Sequence, residues 1–158
     1  VAIARGLQNQ DGHARGHVSR IYSRLTFEEI EPLLPAIREA IVKPAPSGEM
    51  FADEVRLAGL KLLSAHRVED GVPAIADYVV TQNPWASQER IKQILPLFES
   101  YGAHAQTALP KLREAAEYFE QREADFPKKL SLQKAAAVRE TIAKIEAATE
   151  RPELKQLK

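Results

Sequence analysis

The sequence predicts an all-α fold built from about four helix pairs. Two kinds of observation point there. First, Ala, Leu, Glu, Lys, Gln and Arg dominate the 158 residues, glycine is held to 7, and strand-like alternation of β-branched residues is nearly missing. Second, a short pattern recurs: "LPAI" at 34–37, "VPAI" at 72–75 and "LPKL" at 109–112. Pro35 and Pro73 are 38 residues apart, Pro73 and Pro110 are 37 apart, and "AI" at 2–3 marks a first copy entered partway through. After each copy comes an arginine and an apolar helical stretch, with Arg15, Arg56, Arg90 and Arg139 in equivalent places.

Each unit therefore reads as helix, turn, helix. The first helices are expected at roughly 1–9, 27–43, 69–82 and 103–121, the second at roughly 11–25, 50–66, 86–101 and 130–149. On the helix at 11–25, Ala14, Val18, Ile21 and Leu25 form the apolar face. Thr26 with Glu29 makes a capping box that opens the helix at 27. Asp53 sits where a negative charge favours an early helical turn. Val72, Ile75, Ala76 and Val79 share one face of the third pair's first helix. Ala105, Ala108, Leu109, Leu112, Ala116 and Phe119 do so in the fourth, as do Val138, Ile142 and Ile145 on its partner. Breaks fall at "KPAPSGE" (43–49), "QNPW" (82–85) and around "DFPKK" (125–129). The units run over approximately 1–25, 26–66, 67–101 and 102–150, one repeat domain, and 151–158 reads as a fraying tail or the start of a further unit.

A lone helix pair cannot bury its apolar stripe, so neighbouring pairs must stack. Pro32 and Pro73 suit a first helical turn, where the missing N–H costs little. Pro35 and Pro110 lie deeper and are expected to bend their helices. Arg56, Arg90 and Arg139 are assigned structural roles, each bonding an acid or carbonyl of the neighbouring unit.

The alternation of "LLPAI" with "D-x-V-R-x-x-A-x-x-x-L", carried best by Asp53, Val55, Arg56 and Leu63, resembles HEAT repeats. "YGAHAQTALPKLREA" at 101–115 resembles the shorter HEAT-like repeats of phycobilisome-lyase-type proteins. Residues 14–71 are similar to the HEAT-repeat region of large, uncharacterised bacterial multidomain proteins. The resemblance implies a right-handed α-α superhelix, an armadillo-like solenoid, whose second helices line a concave surface. It implies a non-catalytic scaffold for another protein or another domain of the same chain. An accessory domain of a larger enzyme, or a HEAT-fold enzyme of the lyase or glycosylase type, is the alternative.

Composition limits the chemistry. Lys+Arg and Asp+Glu are both 22, so no basic surplus recommends nucleic acid as a partner. With 6% aromatics, this also speaks against a glycosylase channel. There is no cysteine for a disulfide or thiolate site. No apolar run approaches the ~20 residues of a membrane span. The opening at Val1 reads as the interior of a longer protein, so a signal sequence, if one exists, is expected upstream and the compartment is not read.

His13 and His17 are one helical turn apart, a spacing zinc uses, but no third ligand is identifiable nearby and no histidine is followed by Glu. No metal and no cofactor is expected. His13, His17, Arg20 and Arg24 form one polar stripe, and the positions matching Arg20 in the other second helices are Lys61, Leu95 and Lys144. These residues make up the expected interaction ridge, mildly cationic and suited to an acidic peptide or a sister domain. Trp85 is expected to fold over a joint between units. Glu28, Glu29 and Glu31 are a solvated run, and neither a catalytic triad nor a phosphate loop is present.

Overall fold

A computed structural model describes residues 2–43, 45–47, 52–82, 87–121 and 128–156. Its α-helices are α1 (Ala2–Leu7), α2 (Gly12–Ser19), α3 (Phe27–Ile30), α4 (Leu34–Val42), α5 (Ala52–Ala65), α6 (Gly71–Val80), α7 (Gln88–Ile94), α8 (Leu109–Gln121) and α9 (Lys128–Ala147). Stretches of 3-10 helix run over Tyr22–Arg24, Glu31–Leu33 and Leu95–Ala108. The described residues contain no β-strand, only the isolated bridges Asp11–Ser47 and Val68–Lys155, and the fold is all-α. Trp85, Val1 and much of the three expected breaks lie outside the described residues. The chain divides into two compact units, Val1–His66 and Arg67–Gln156.

In the first unit, α1 packs on α2 and α4, while α2 and α4 both pack on α5. Thr26 opens α3 with a complete capping box: its hydroxyl accepts from the Glu29 N–H at 3.4 Å, and the Glu29 carboxylate accepts from the Thr26 N–H at 2.8 Å. The single helix expected over 27–43 is instead three segments. Pro32 and Pro35 each remove an N–H from the ladder, so the chain tightens into 3-10 geometry at Glu31–Leu33 before α4 begins. Leu34, Ile37, Ala40 and Ile41 then face inward against Val55, Leu60, Leu62 and Leu63 of α5. Gly59 lets the two helices approach, since a Cβ there would lie 2.6 Å from Ile41 Cγ1.

Helix α2 presents a face that periodicity did not indicate. Gly12, Gly16 and Ser19 are its buried residues, whereas Ala14, Val18, Ile21 and Leu25 are only half-buried. Small residues allow the backbone of α2 to lie against α5. Val18 turns to α1, where a Cβ on Gly6 would meet its Cγ2 at 2.5 Å.

In the second unit, α6 packs on Leu95–Ala108 and α8, and α9 packs on α8 and Leu95–Ala108. The expected faces are inside: Val72, Ile75, Ala76 and Val79; Ala105, Ala108, Leu112, Ala116 and Phe119, with Leu109 only half-buried; Val138, Ile142 and Ile145. Gly102, at φ 54° and ψ −134°, interrupts the helical path between two 3-10 runs. Pro110 is the second residue of α8, as Pro35 is of α4. Neither bends an α-helix from within. In both places the preceding leucine donates to a carbonyl three residues back (Leu34 to Glu31, Leu109 to Gln106), and the proline occupies a first α turn, where its missing N–H is an orphan anyway.

The segment 148–156 is an extended strap laid on this unit, so the described part of the tail expected to fray, 151–156, is held in place. The Ala103 N–H donates to Glu150 O at 2.7 Å and His104 Nε2 donates to Pro152 O at 2.9 Å. Lys155 N–H donates to Arg67 O at 2.9 Å, and Glu69 N–H returns a bond to Lys155 O at 2.8 Å. Gln106 takes up the orphan carbonyls of Ile145 and Ala148 at the end of α9.

Two buried phenols make opposite predictions. Tyr101 donates to Val68 O at 2.9 Å, whereas the Tyr22 hydroxyl has no partner among the described residues. Burial raises both phenol pKa values, with repulsion from Asp70 adding to the effect at Tyr101. Unfolded phenols ionise near pH ~10, so the folded state loses stability as pH rises above that value and not below it. Tyr101→Phe is expected to cost about 1 kcal/mol at neutral pH by removing one of the two bonds to the Val68 carbonyl, which keeps the Gly71 N–H at 2.9 Å. Tyr22→Phe is expected to be neutral or to gain up to about 1 kcal/mol. Urea unfolding at pH 8 and above pH 10 checks both: each substitution should flatten the alkaline loss.

Candidate functional site

The recurrent arginines have a common task. Arg15 donates through Nε to Asn9 O at 2.6 Å, just beyond α1, and through Nη1 to Lys43 O at 2.9 Å. Arg56 donates to Ile41 O at 3.1 Å, in the last turn of α4. Arg90 donates to Gln82 Oε1 at 2.7 Å, and Gln82 in turn donates to Tyr78 O near the end of α6. Arg139 grips both oxygens of Glu120, in the last turn of α8, at 3.0 Å each. Arg15, Arg56 and Arg90 leave the first two turns of their second helices and Arg139 the middle of α9, and each meets the C-terminal end of the helix before it. The sequence argument placed these bonds between neighbouring units; the contacts described for Arg56, Arg90 and Arg139 lie within one pair. Helix C-termini carry unsatisfied carbonyls and partial negative charge, which a planar five-donor cation matches. The Arg139 hydrogen bonds also hold the Glu120 carboxyl below the usual carboxylate range.

The expected ridge residues fall in different surroundings. His13, His17, Arg20 and Arg24 are exposed along α2 and the turn after it, and Lys61 is exposed on α5. All five belong to the unit Val1–His66, whereas Lys144 belongs to Arg67–Gln156. Arg20 is spanned by Glu54, with Nε 2.7 Å from Oε1. The hydrogen bond from Arg20 fits beside Gly16, where a Cβ would lie 3.2 Å from Glu54 Oε2. Lys144 pairs with Glu140, one turn earlier, at 3.1 Å. Acids therefore offset two of the ridge's cations.

Within the second unit a cleft of about 340 Å³ opens between α9 and the path formed by α7 and Leu95–Ala108. Ile91, Leu95, Phe98 and Ile145, all buried core residues, supply its floor. Lys92, Glu99, Glu140 and Lys144 are its charged lining residues. Both lysines are matched along their own helices, Lys92 by Glu89 and Lys144 by Glu140, each at 3.1 Å. The result is an apolar trough with a rim of balanced charge. Its signal in the sequence was Leu95, the one apolar residue among the four positions aligned with Arg20.

Sequence periodicity also missed Lys134. It is 2% exposed on α9, with its ammonium 5.8 Å from the centre of the Phe119 ring. Burial, aided by the nearby charge of Arg90, lowers its pKa. Among the described residues no group of three or more His, Cys, Asp or Glu side chains is placed to hold a metal ion. No described helix is long and apolar enough to cross a membrane. No family model, no curated protein and no solved structure matches the chain.

Proposed function

We propose that this chain is a non-catalytic interaction scaffold. Its helix pairs are HEAT-like repeats in a right-handed α-α superhelix, and their second helices engage another protein or another domain of the same protein. The arginine that reaches from each second helix to the end of the helix before it supports the repeat reading, because four separate pairs use it. The observation that carries the interaction reading is the cleft between α7 and α9, both second helices.

The occupant that suits this cleft is an amphipathic helix of the partner. An apolar floor accepts a ridge of aliphatic side chains at i, i+3, i+4 and i+7. A rim of paired charges favours a helix flanked by both signs over a polyacidic or polybasic segment. A photoreactive residue replacing Thr141, half-buried in the cleft, tests this in the producing cell, with Thr107, exposed and outside the cleft, as the control site. Cross-linking to one protein from 141 alone is expected. That protein, purified, should bind the chain and lose at least about tenfold in affinity on Thr141→Arg, about 1.4 kcal/mol. Equal capture from both sites, or an affinity unchanged by Thr141→Arg, would overturn the reading.

A further inference from the structure

We infer that Glu99 selects the occupant of the cleft between α7 and α9: the helix received there carries a lysine or arginine at one end of its apolar ridge, set against this carboxylate. The inference rests on the reading of the cleft as a helix-binding site. Four charged side chains line the cleft, Lys92, Glu99, Glu140 and Lys144. Lys92 is paired with Glu89 and Lys144 with Glu140, each at 3.1 Å along its own helix. Glu99 is exposed and has no hydrogen bond or ion pair among the described residues. With both lysines matched, the rim keeps one negative charge, and that charge is Glu99.

Its place along the cleft fixes where the cation stands. One wall presents Ile91, Leu95, Phe98 and Gly102, the other Ala137, Thr141, Ile145 and Ala148. Each wall covers roughly three helical turns or 16 Å, enough for a partner ridge at i, i+3, i+4 and i+7. The walls run the same way, because the Ala103 N–H donates to Glu150 O at 2.7 Å and so joins the Gly102 end of one to the Ala148 end of the other. Glu99 lies one 3-10 turn before Gly102, toward this joined end. On the strap just beyond, Glu150 and Arg151 are both exposed and offset each other in charge. A partner cation beside Glu99 gains a pair that no described group of this chain supplies, above an apolar floor that keeps water from one side of it. A partner anion there meets an unmatched like charge, so the same carboxylate attracts one class of helix and repels the other.

Selection from a phage-displayed library of helical peptides tests the inference. Each peptide has leucine at i, i+3, i+4 and i+7 and Lys, Glu or Gln at every flanking position. The bait is the whole chain, and Thr141→Arg is the counter-bait that blocks the cleft. Peptides that bind the chain and fail on Thr141→Arg are expected to be enriched in Lys over Glu at one terminal flank. Replacing that lysine by glutamate in a selected peptide should weaken binding about fivefold, with the difference shrinking as salt is raised. Glu99→Lys should reverse the preference, so that the glutamate peptide binds it better than the lysine peptide. Glu114→Lys, the same charge change at an exposed position of α8 outside the cleft, should leave the preference as it was. Circular dichroism checks that both variants keep their helices. Equal enrichment of Lys and Glu, or a lysine preference that survives Glu99→Lys, overturns the role of Glu99 and leaves the cleft reading standing. If no selected peptide is sensitive to Thr141→Arg, the cleft reading falls and this inference falls with it.

Discussion

Phe119→Ala is expected to lower the unfolding free energy by about 3–5 kcal/mol. Phe119 is 1% exposed in the packing between α8 and α9, the most extensive helix contact in the second unit. Truncation removes the transfer free energy of the ring and leaves a cavity that its neighbours only partly fill. It also strips Lys134 of the aromatic face beneath its ammonium, in a place where burial already disfavours the charge. Folded domains hold only about 5–15 kcal/mol in reserve, so this one change consumes a large share. Phe119→Leu, which keeps most of the apolar volume and loses only the π face, should cost about 1–2 kcal/mol. Denaturant midpoints at constant m-value measure both. A loss below about 1 kcal/mol for the alanine variant would contradict the packing described.

Gly102→Val comes second, at about 3 kcal/mol or more. Two independent costs combine. The backbone at φ 54° and ψ −134° is a conformation that L side chains rarely adopt, which alone costs on the order of 1–3 kcal/mol. A Cβ would in addition lie 2.3 Å from Glu150 O, a backbone atom that cannot swing aside as a side chain does. The strap must then lift, releasing the Ala103 bond to Glu150 and the His104 bond to Pro152. Hydrogen exchange at the amides of Ala103, Glu69 and Lys155 should accelerate together, with smaller changes in α6. Protection unchanged at Ala103 would show that the strap is not held at Gly102.

These sites show what was legible in the sequence. The periodic apolar faces of α6, α8 and α9 could be read because each buries a continuous stripe, and burial of Val72, Ile75 and Val79 follows from a period of 3.6 alone. The Thr26–Glu29 box was legible because both bonds are local. The α2 face was not. Its buried Gly12, Gly16 and Ser19 carry no hydropathy signal, since close backbone approach selects for small size. The 3-10 stretches were hidden because hydrophobic pattern does not separate i→i+3 from i→i+4 bonding. The strap was missed because its hydrogen bonds reach Arg67 and Glu69, distant in sequence from Lys155 and unrelated to it by any pattern. Of the candidate surface, the exposed histidines and cations were identifiable. The Glu54 partner of Arg20 was not, because that pair depends on how α2 meets α5.

The Val68–Lys155 bridge sets the entry and exit of the second unit side by side. A module whose ends are already joined can be spliced into a surface loop of a host protein without prying either structure apart. By the same geometry, joining residues 67 and 156 through a short linker and reopening the chain at another exposed loop yields a circular permutant with its helices undisturbed. The clasp turns the second unit into a cassette whose order along the chain is free to change.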